Sequence, residues 1–338
     1  MSKTVLLTGA SGFIGAHCAV QLLEKGYRVR ASLRNLARAE SLRAIYHENT
    51  EFEDERLEFV ALDLNQDQGW AEAAQGCDFV MHVASPVPAQ LPKHEDELII
   101  PAREGTLRAL KAAHQAGIKR VVLTSSVAAI CYGHPLQKTS FTESDWTDLQ
   151  GHNLSPYIKS KTIAEKAAWE FVKDKDLELV TVNPGGVLGP VLEKDYGTSA
   201  EIVKKMMEGA LPGFPRIGFP LVDVRDVARM HLLAMETPDA VGQRFICAHD
   251  YIWFDEIGQI LKAHFPAYAR KIPRRKMPSW LVRIFGLFDK EVKSILNELD
   301  FRKDVSHQKA AEFLKWKPRP NEEAIIATAE SLIKFGIV

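Results

Sequence analysis

Cysteine is scarce in this chain: four in 338 residues, at Cys18, Cys77, Cys131 and Cys247, far apart and without a CxxC pair. That spacing supplies neither a disulfide framework nor a zinc site, and it suits a reducing compartment. Four small, buried, apolar side chains are the expectation. No apolar run approaches the roughly 18 residues that a membrane span requires. The first nine residues carry one charge and an apolar stretch too short for a secretory leader, so they read as a strand and the protein as cytoplasmic. Neither sign of charge is in excess, since 43 Lys+Arg against 44 Asp+Glu leave a net charge of −1. No global field gathers nucleic acid or anionic lipid. His82, His114, His134, His152 and His231 form no HxxxH or HxxEH spacing, so no catalytic metal is expected.

What remains is an ordinary globular composition, 46% apolar and 26% charged, long enough for about two structural units. Short apolar runs alternate with helical patterns. Strands are expected at Val5–Thr8, Tyr27–Leu33, Leu57–Leu62, Phe79–Val83, Val121–Thr124 and Leu177–Val182. Helices are expected over Ile14–Lys25, Leu36–Tyr46, Asp67–Ala74, Asp96–Ala116 and Pro156–Lys173. Such βαβ units demand a parallel sheet covered on both faces, an α/β doubly wound fold of Rossmann type.

After Asn183-Pro184-Gly185-Gly186 glycine and proline become denser. Helices at Asp223–Met235 and Phe254–Phe265 and a short strand at Gln243–Cys247 are expected there, with no regular alternation of strands. The division is therefore a dinucleotide-binding domain over 1–183 and a smaller, mostly helical substrate lobe over 184–338. The boundary is soft, and some later segments can return to the first domain.

Thr8-Gly9-Ala10-Ser11-Gly12-Phe13-Ile14-Gly15 follows the first strand and opens the first helix. Gly9 permits a tight turn, Gly12 lets backbone approach a pyrophosphate, and Gly15 lets helix and strand pack closely. The N–H groups of the helix start then face the anion. The end of the second strand selects the cofactor. An acid there would accept from a ribose 2′-hydroxyl, whereas Ser32-Leu33-Arg34-Asn35 offers a planar cation that pairs with a 2′-phosphate and stacks on adenine. Arg38, one turn on, stands ready to assist. Asp63-Leu64, ending the third strand, is read either as an adenine contact or as a local cap.

Tyr157 and Lys161 sit four apart at the start of a helix, on one face. One unit earlier, Thr124-Ser125-Ser126 ends the fifth strand at the carboxyl edge of the sheet, where open α/β folds bind ligands.

With these residues in hand, the sequence resembles an extended short-chain dehydrogenase/reductase. More narrowly, it is similar to the branch of dihydroflavonol 4-reductases, cinnamoyl-CoA reductases and microbial aldehyde or ketone reductases. The resemblance rests on TGASGFIG, Arg34, Asp63-Leu64, HVASP at 82–86, TSS at 124–126, YIKSK at 157–161 and NPGGVLGP at 183–190. It implies an NADPH-dependent reduction of an aldehyde or ketone, run reversibly. Tyr157 would donate the proton, Lys161 would lower the tyrosine's pKa and hold the nicotinamide ribose, and Ser126 would orient the substrate oxygen. Strand alternation turns Ser125 to the opposite face.

The resemblance also implies cofactor contacts from Ser11, Phe13 and Ile14 in the glycine loop and from Val83, Ala84 and Ser85 after the fourth strand. Thr124, and Pro184, Gly185 and Val187 beyond the sixth strand, complete that set. A small carbonyl compound of aromatic or apolar character is the expected partner, with a monomer or homodimer as the assembly.

Gly185 and Gly186 either widen the pocket or accommodate a sharp turn. Leu192, Met206, Met207 and Phe219 line a substrate cavity or belong to the core. His134 touches substrate or lies in solvent. The basic run Arg270–Lys276 and the apolar Trp280–Phe285 after it are expected to pack on the lobe with their charges in water. A membrane-surface helix and a site for a CoA phosphate are the alternatives. Two other functions remain open: a sugar-nucleotide epimerase or dehydratase that recycles its own cofactor, and a sensor that binds NADPH without turnover.

Overall fold

The computed structural model describes residues 2–86, 92, 94–152, 154–194 and 200–338. The first half alternates β1 (Thr4–Thr8), α1 (Phe13–Glu24), β2 (Arg28–Leu33), α2 (Ala39–Asn49), β3 (Leu57–Ala61), α3 (Trp70–Ala74), β4 (Phe79–His82), α4 (Asp96–Gln115) and β5 (Arg120–Thr124). A two-residue β6 (Ser140–Phe141), the helix α5 (Pro156–Val172) and β7 (Glu178–Pro184) follow. The second half holds β8 (Gly186–Leu188), α6 (Glu201–Glu208), β9 (Gly218–Asp223), α7 (Val224–Glu236), β10 (Arg244–Cys247), β11 (Tyr251–Trp253) and α8 (Phe254–His264). It closes with α9 (Ser279–Phe285), α10 (Lys290–Ile295), β12 (Asp304–Val305), α11 (Gln308–Leu314) and α12 (Asn321–Lys334).

Seven strands form one parallel sheet in the order β10-β7-β5-β4-β1-β2-β3. Side chains alternate between its faces, as the pleat requires. Val5 and Leu7 join the core under α1, α2 and α7, while Leu6 joins the core under α3, α4 and α5. Strand order reverses between β1 and β4, so the crevice at their carboxyl ends is the topological switch point where such sheets bind ligands.

The chain beyond residue 184 is less purely helical than its composition suggests. β9 lies between β8 and β11 in a three-stranded sheet, and β12 pairs with β6. The strand expected in the lobe at Gln243–Cys247 is β10, which instead completes the large sheet on β7, and α7 packs beside α1. The helix expected over Asp67–Ala74 starts only at Trp70, behind Gly69 at φ 84°.

Three cysteines are buried, but Cys77 is half-buried and accepts from the Arg30 guanidinium at 3.5 Å. The Trp280–Phe285 run packs less than expected: Val282 is buried, whereas Trp280 keeps 64% of its surface. Among the described residues no helix is long and apolar enough to cross a membrane.

Candidate active site

β1 ends where Gly9 turns the chain with φ +72°, a left-handed conformation that favours glycine. A Cβ there would stand 2.8 Å from the Ala84 backbone, and one on Gly15 would stand 2.0 Å from the Gly9 carbonyl oxygen. Gly12 N donates back to Gly9 O at 2.9 Å. Among the described residues no side chain caps the first turn of α1, and no acid lies in it, so its backbone donors suit an anion. Thr8 Oγ1 pairs with His82 Nδ1 at 2.8 Å and accepts from Ala84 N at 3.1 Å, tying the ends of β1 and β4 together. Ser11, Gly12 and Phe13 face Val191, Leu192 and Glu193 across a cleft. This cradle fits a dinucleotide.

At the end of β2 Arg34 is exposed. Asn35 caps the short turn that follows by accepting from Ala37 N at 2.9 Å. Arg38 reaches across to Glu193 at 2.5 Å. Asp63 Oδ1 accepts from Asn65 N at 2.8 Å, which makes it a local cap. Leu64 leans on α4, where its Cδ2 would stand 2.8 Å from a Cβ on Gly105. Neither side chain is aimed at the cleft by any contact among the described residues.

The three candidate catalytic side chains come together where β5 and α5 meet. Ser155 caps α5 by accepting from Ile158 N, and Pro156 occupies the first turn. Tyr157 therefore stands at the helix start with Lys161 one turn behind, its ammonium 5.9 Å from the tyrosine ring centroid. Lys161 is buried and donates to Ser85 Oγ at 2.9 Å. Burial lowers its pKa to about 8, opposed by the negative charge of Glu165. Tyr157 is 39% exposed. Desolvation pushes the phenol up, and a hydrogen bond with Ser126 pulls it back. Ser126 Oγ also accepts from Ala128 N at 3.1 Å and lies 3.4 Å from Pro184 O.

Ser125 does turn the other way, donating to Glu165 Oε2 at 2.5 Å. Thr124 is taken up inside the sheet: its hydroxyl donates to His231 Nε2 at 2.6 Å, while His231 Nδ1 donates to Val227 O. Gly185 and Gly186 are close-approach positions rather than pocket wideners. A Cβ on Gly185 would lie 2.2 Å from Pro220 O, and one on Gly186 would lie 2.3 Å from the Phe219 ring. Val187 is buried on β8, paired with Val222.

Met206 and Met207 belong to the core, and Leu192 and Phe219 are half-buried beside it. His134 is half-buried and bonded to Ile130 O at 3.0 Å. Residues 87–91, which follow HVASP, lie outside the described residues. Sequence reasoning missed Glu165 and Arg244, a buried ion pair at 2.6 Å behind the site. The fourfold spacing from Tyr157 through Lys161 to Glu165 was the available signal.

The fold and this cleft define a dinucleotide-binding oxidoreductase built on a doubly wound sheet. The profile of the NAD dependent epimerase/dehydratase family matches residues 5–248, and the chain belongs to that family, among the extended short-chain dehydrogenases/reductases. It is 36% identical over 275 residues to cinnamoyl-CoA reductase CAD2 of Medicago truncatula, covering 79% of this chain and 82% of that one. It is 35% identical over 276 residues to tetraketide alpha-pyrone reductase 1 of Arabidopsis thaliana, covering 80% and 83%. The yeast methylglyoxal/isovaleraldehyde reductase Gre2, solved in complex with NADPH, superposes with a TM-score of 0.82 at 28% identity, covering 98% of this chain and 99% of that one.

Proposed function

We propose that this protein reduces an aldehyde or ketone to the corresponding alcohol with NADPH, reversibly, on a small carbonyl compound of aromatic or apolar character. The observation that carries the reading is the meeting of Ser126, Tyr157 and Lys161 at the carboxyl edge of the sheet, beside an uncapped glycine-loop helix. Bound there, NADPH would supply the hydride.

The glycine loop from Gly9 to Gly15, with Ser11, Phe13 and Ile14, would hold the pyrophosphate, and Arg34 would meet the 2′-phosphate. Val83, Ala84, Ser85, Pro184, Gly185 and Val187 border the nicotinamide end through backbone and small side chains. The backbone at Asp63-Leu64 would border the adenine end, and that of Thr124 the cofactor cleft, since the three side chains are engaged elsewhere.

Ser126 donates to the substrate oxygen and fixes its direction. Tyr157 passes its phenolic proton to that oxygen as the alkoxide forms. A phenol near its ordinary value of about 10 is a slow acid at neutral pH, so the Lys161 ammonium stabilises the phenolate left behind. Residues 1–183 hold the cofactor, and most of 184–338 shapes the substrate side, working in the cytoplasm as a monomer or homodimer.

The test is loss of NADPH absorbance with an aromatic aldehyde and an α-ketoester, with NADH run alongside. Turnover with NADPH well above NADH supports the reading. NADPH binding without consumption across a broad carbonyl panel overturns it, and leaves the internally recycling epimerase or the non-turning sensor.

A further inference from the structure

The carboxylate of Glu165 is enclosed, with 1% of the residue exposed. It sits on α5 one turn beyond Lys161 and receives donors from three strands and from its own helix. From β5 comes Ser125 Oγ at 2.5 Å. From β7 come Thr181 Oγ1 at 3.2 Å and Asn183 Nδ2 at 2.8 Å. From β10 comes Arg244 Nε at 2.6 Å, and from α5 itself Trp169 Nε1 at 3.2 Å.

The donors are the immediate neighbours of the candidate site. Ser125 precedes Ser126. Asn183 also donates to the Ser126 carbonyl at 3.2 Å and precedes Pro184, whose own carbonyl lies 3.4 Å from Ser126 Oγ. Arg244 is itself fixed by the Glu143 and Asp145 carbonyls, each at 2.7 Å, and lies 3.7 Å from the Trp146 ring centroid.

We propose that Glu165 is a positioning residue of the reductase: by gathering the ends of β5, β7 and β10 onto α5, it sets the angle and distance at which Tyr157 and Lys161 meet Ser126. The inference rests on the carbonyl-reductase reading. A buried ion pair alone is a weak source of stability, because desolvating two charges offsets most of their attraction. Here the carboxylate is satisfied by five donor side chains, and the polar network specifies one arrangement of the catalytic helix. A neutral, well-packed side chain would hold the fold without specifying that arrangement.

Charge adds a second channel. The charged and titratable groups facing the Lys161 ammonium are Tyr157 and Glu165 from α5 and His82 from β4, with Arg244 of β10 beyond Glu165. Glu165 is the group that supports the ammonium against burial. Removing its charge lowers the pKa of Lys161, which loses a nearby negative charge.

The experiment compares wild type, Glu165→Gln and Glu165→Asp for NADPH affinity by fluorescence and for steady-state carbonyl reduction across pH. In Glu165→Gln we expect NADPH affinity within about threefold of wild type and kcat down by about ten- to a hundredfold, the scale of a small misplacement of reacting groups. The alkaline limb of kcat/KM should move to lower pH. In Glu165→Asp, which keeps the charge but shortens the reach, kcat should fall while the alkaline limb stays in place.

Wild-type kcat and pH profile in Glu165→Gln overturns the proposal. So does an equal loss of NADPH affinity and kcat with an unmoved limb, which marks a purely structural residue. If Glu165→Gln does not fold, Glu165→Asp decides: lowered kcat with NADPH binding intact supports the assignment, and wild-type kcat overturns it. A wild type that turns over no carbonyl at all refutes the reductase reading itself, a result distinct from any of these.

Discussion

Lys161 Nζ donates to Ser85 Oγ at 2.9 Å, so the ammonium beside Tyr157 is anchored at the end of β4 rather than on its own helix. A lysine held at both ends has little rotamer freedom left to lose when a ligand arrives. The tyrosine gains a neighbouring cation whose place is fixed by α5 and by the segment after β4.

Replacing Tyr157 by Phe removes the proposed proton donor and leaves the glycine loop and Arg34 untouched. Carbonyl reduction should fall by about 10²–10⁴-fold, while NADPH binding, followed by fluorescence titration, stays close to wild type. Residual turnover within tenfold of wild type would assign the proton to another group.

Arg34 is exposed at the end of β2, with no ion pair to it among the described residues. Arg34→Glu places a like charge against a 2′-phosphate and an acceptor against a 2′-hydroxyl. The ratio of kcat/KM for NADPH over that for NADH should drop by about a hundredfold, the scale of replacing one charge-assisted hydrogen bond by one repulsion. An unchanged ratio would hand cofactor choice to another cation, Arg38 first.

Three buried histidines make the fold sensitive to acid. Burial lowers His17 and His231 to about 4 and His82 to about 3. An unfolded histidine takes up its proton near 6.5, so below that value the unfolded chain binds protons that the native one refuses. Stability present above pH 6.5 is then lost progressively as the pH falls toward 4. At the acid limit the loss is about 3 kcal/mol each for His17 and His231 and about 5 kcal/mol for His82. Urea midpoints measured from pH 7.5 down to 4.5 should fall steadily, and a flat profile across this window would contradict the buried neutral state.

Gly185 carries no side chain because Pro220 O occupies the space, 2.2 Å from where a Cβ would stand. Both partners are backbone and cannot swing aside. Gly185→Ala should cost roughly 2 kcal/mol, the usual scale of overpacking, and lower the thermal midpoint. Wild-type stability in this variant would show that β9 can retreat.

The parts of the site legible in sequence are those whose geometry is local. A glycine trio between strand and helix builds its own cradle. A Tyr and a Lys four apart share a helix face by periodicity alone, and two serines at a strand end part by alternation. Glu165 and Arg244 were not legible, because seventy-nine positions separate them and only the closing of β10 onto β7 joins them. β9 escaped notice because Gly218-Phe219-Pro220 reads as a loop: proline is rare inside sheets, and this short strand admits it. The two glycines after Pro184 suggested either room for substrate or a sharp turn. Their cause is the distant segment Phe219-Pro220, which no local pattern announces.

β10 is both an edge of the large sheet and its last-synthesised strand. A nascent chain that has emerged only as far as Asn183 has the glycine loop, the serines, Tyr157 and Lys161, yet β7 has no neighbour on its outer side and Glu165 has no Arg244. The β7 edge of the sheet is therefore covered only once β10 has been made. A gene fragment cut at the apparent domain boundary yields an open-edged sheet with an uncompensated buried charge, prone to pair with other chains before it can bind a nucleotide.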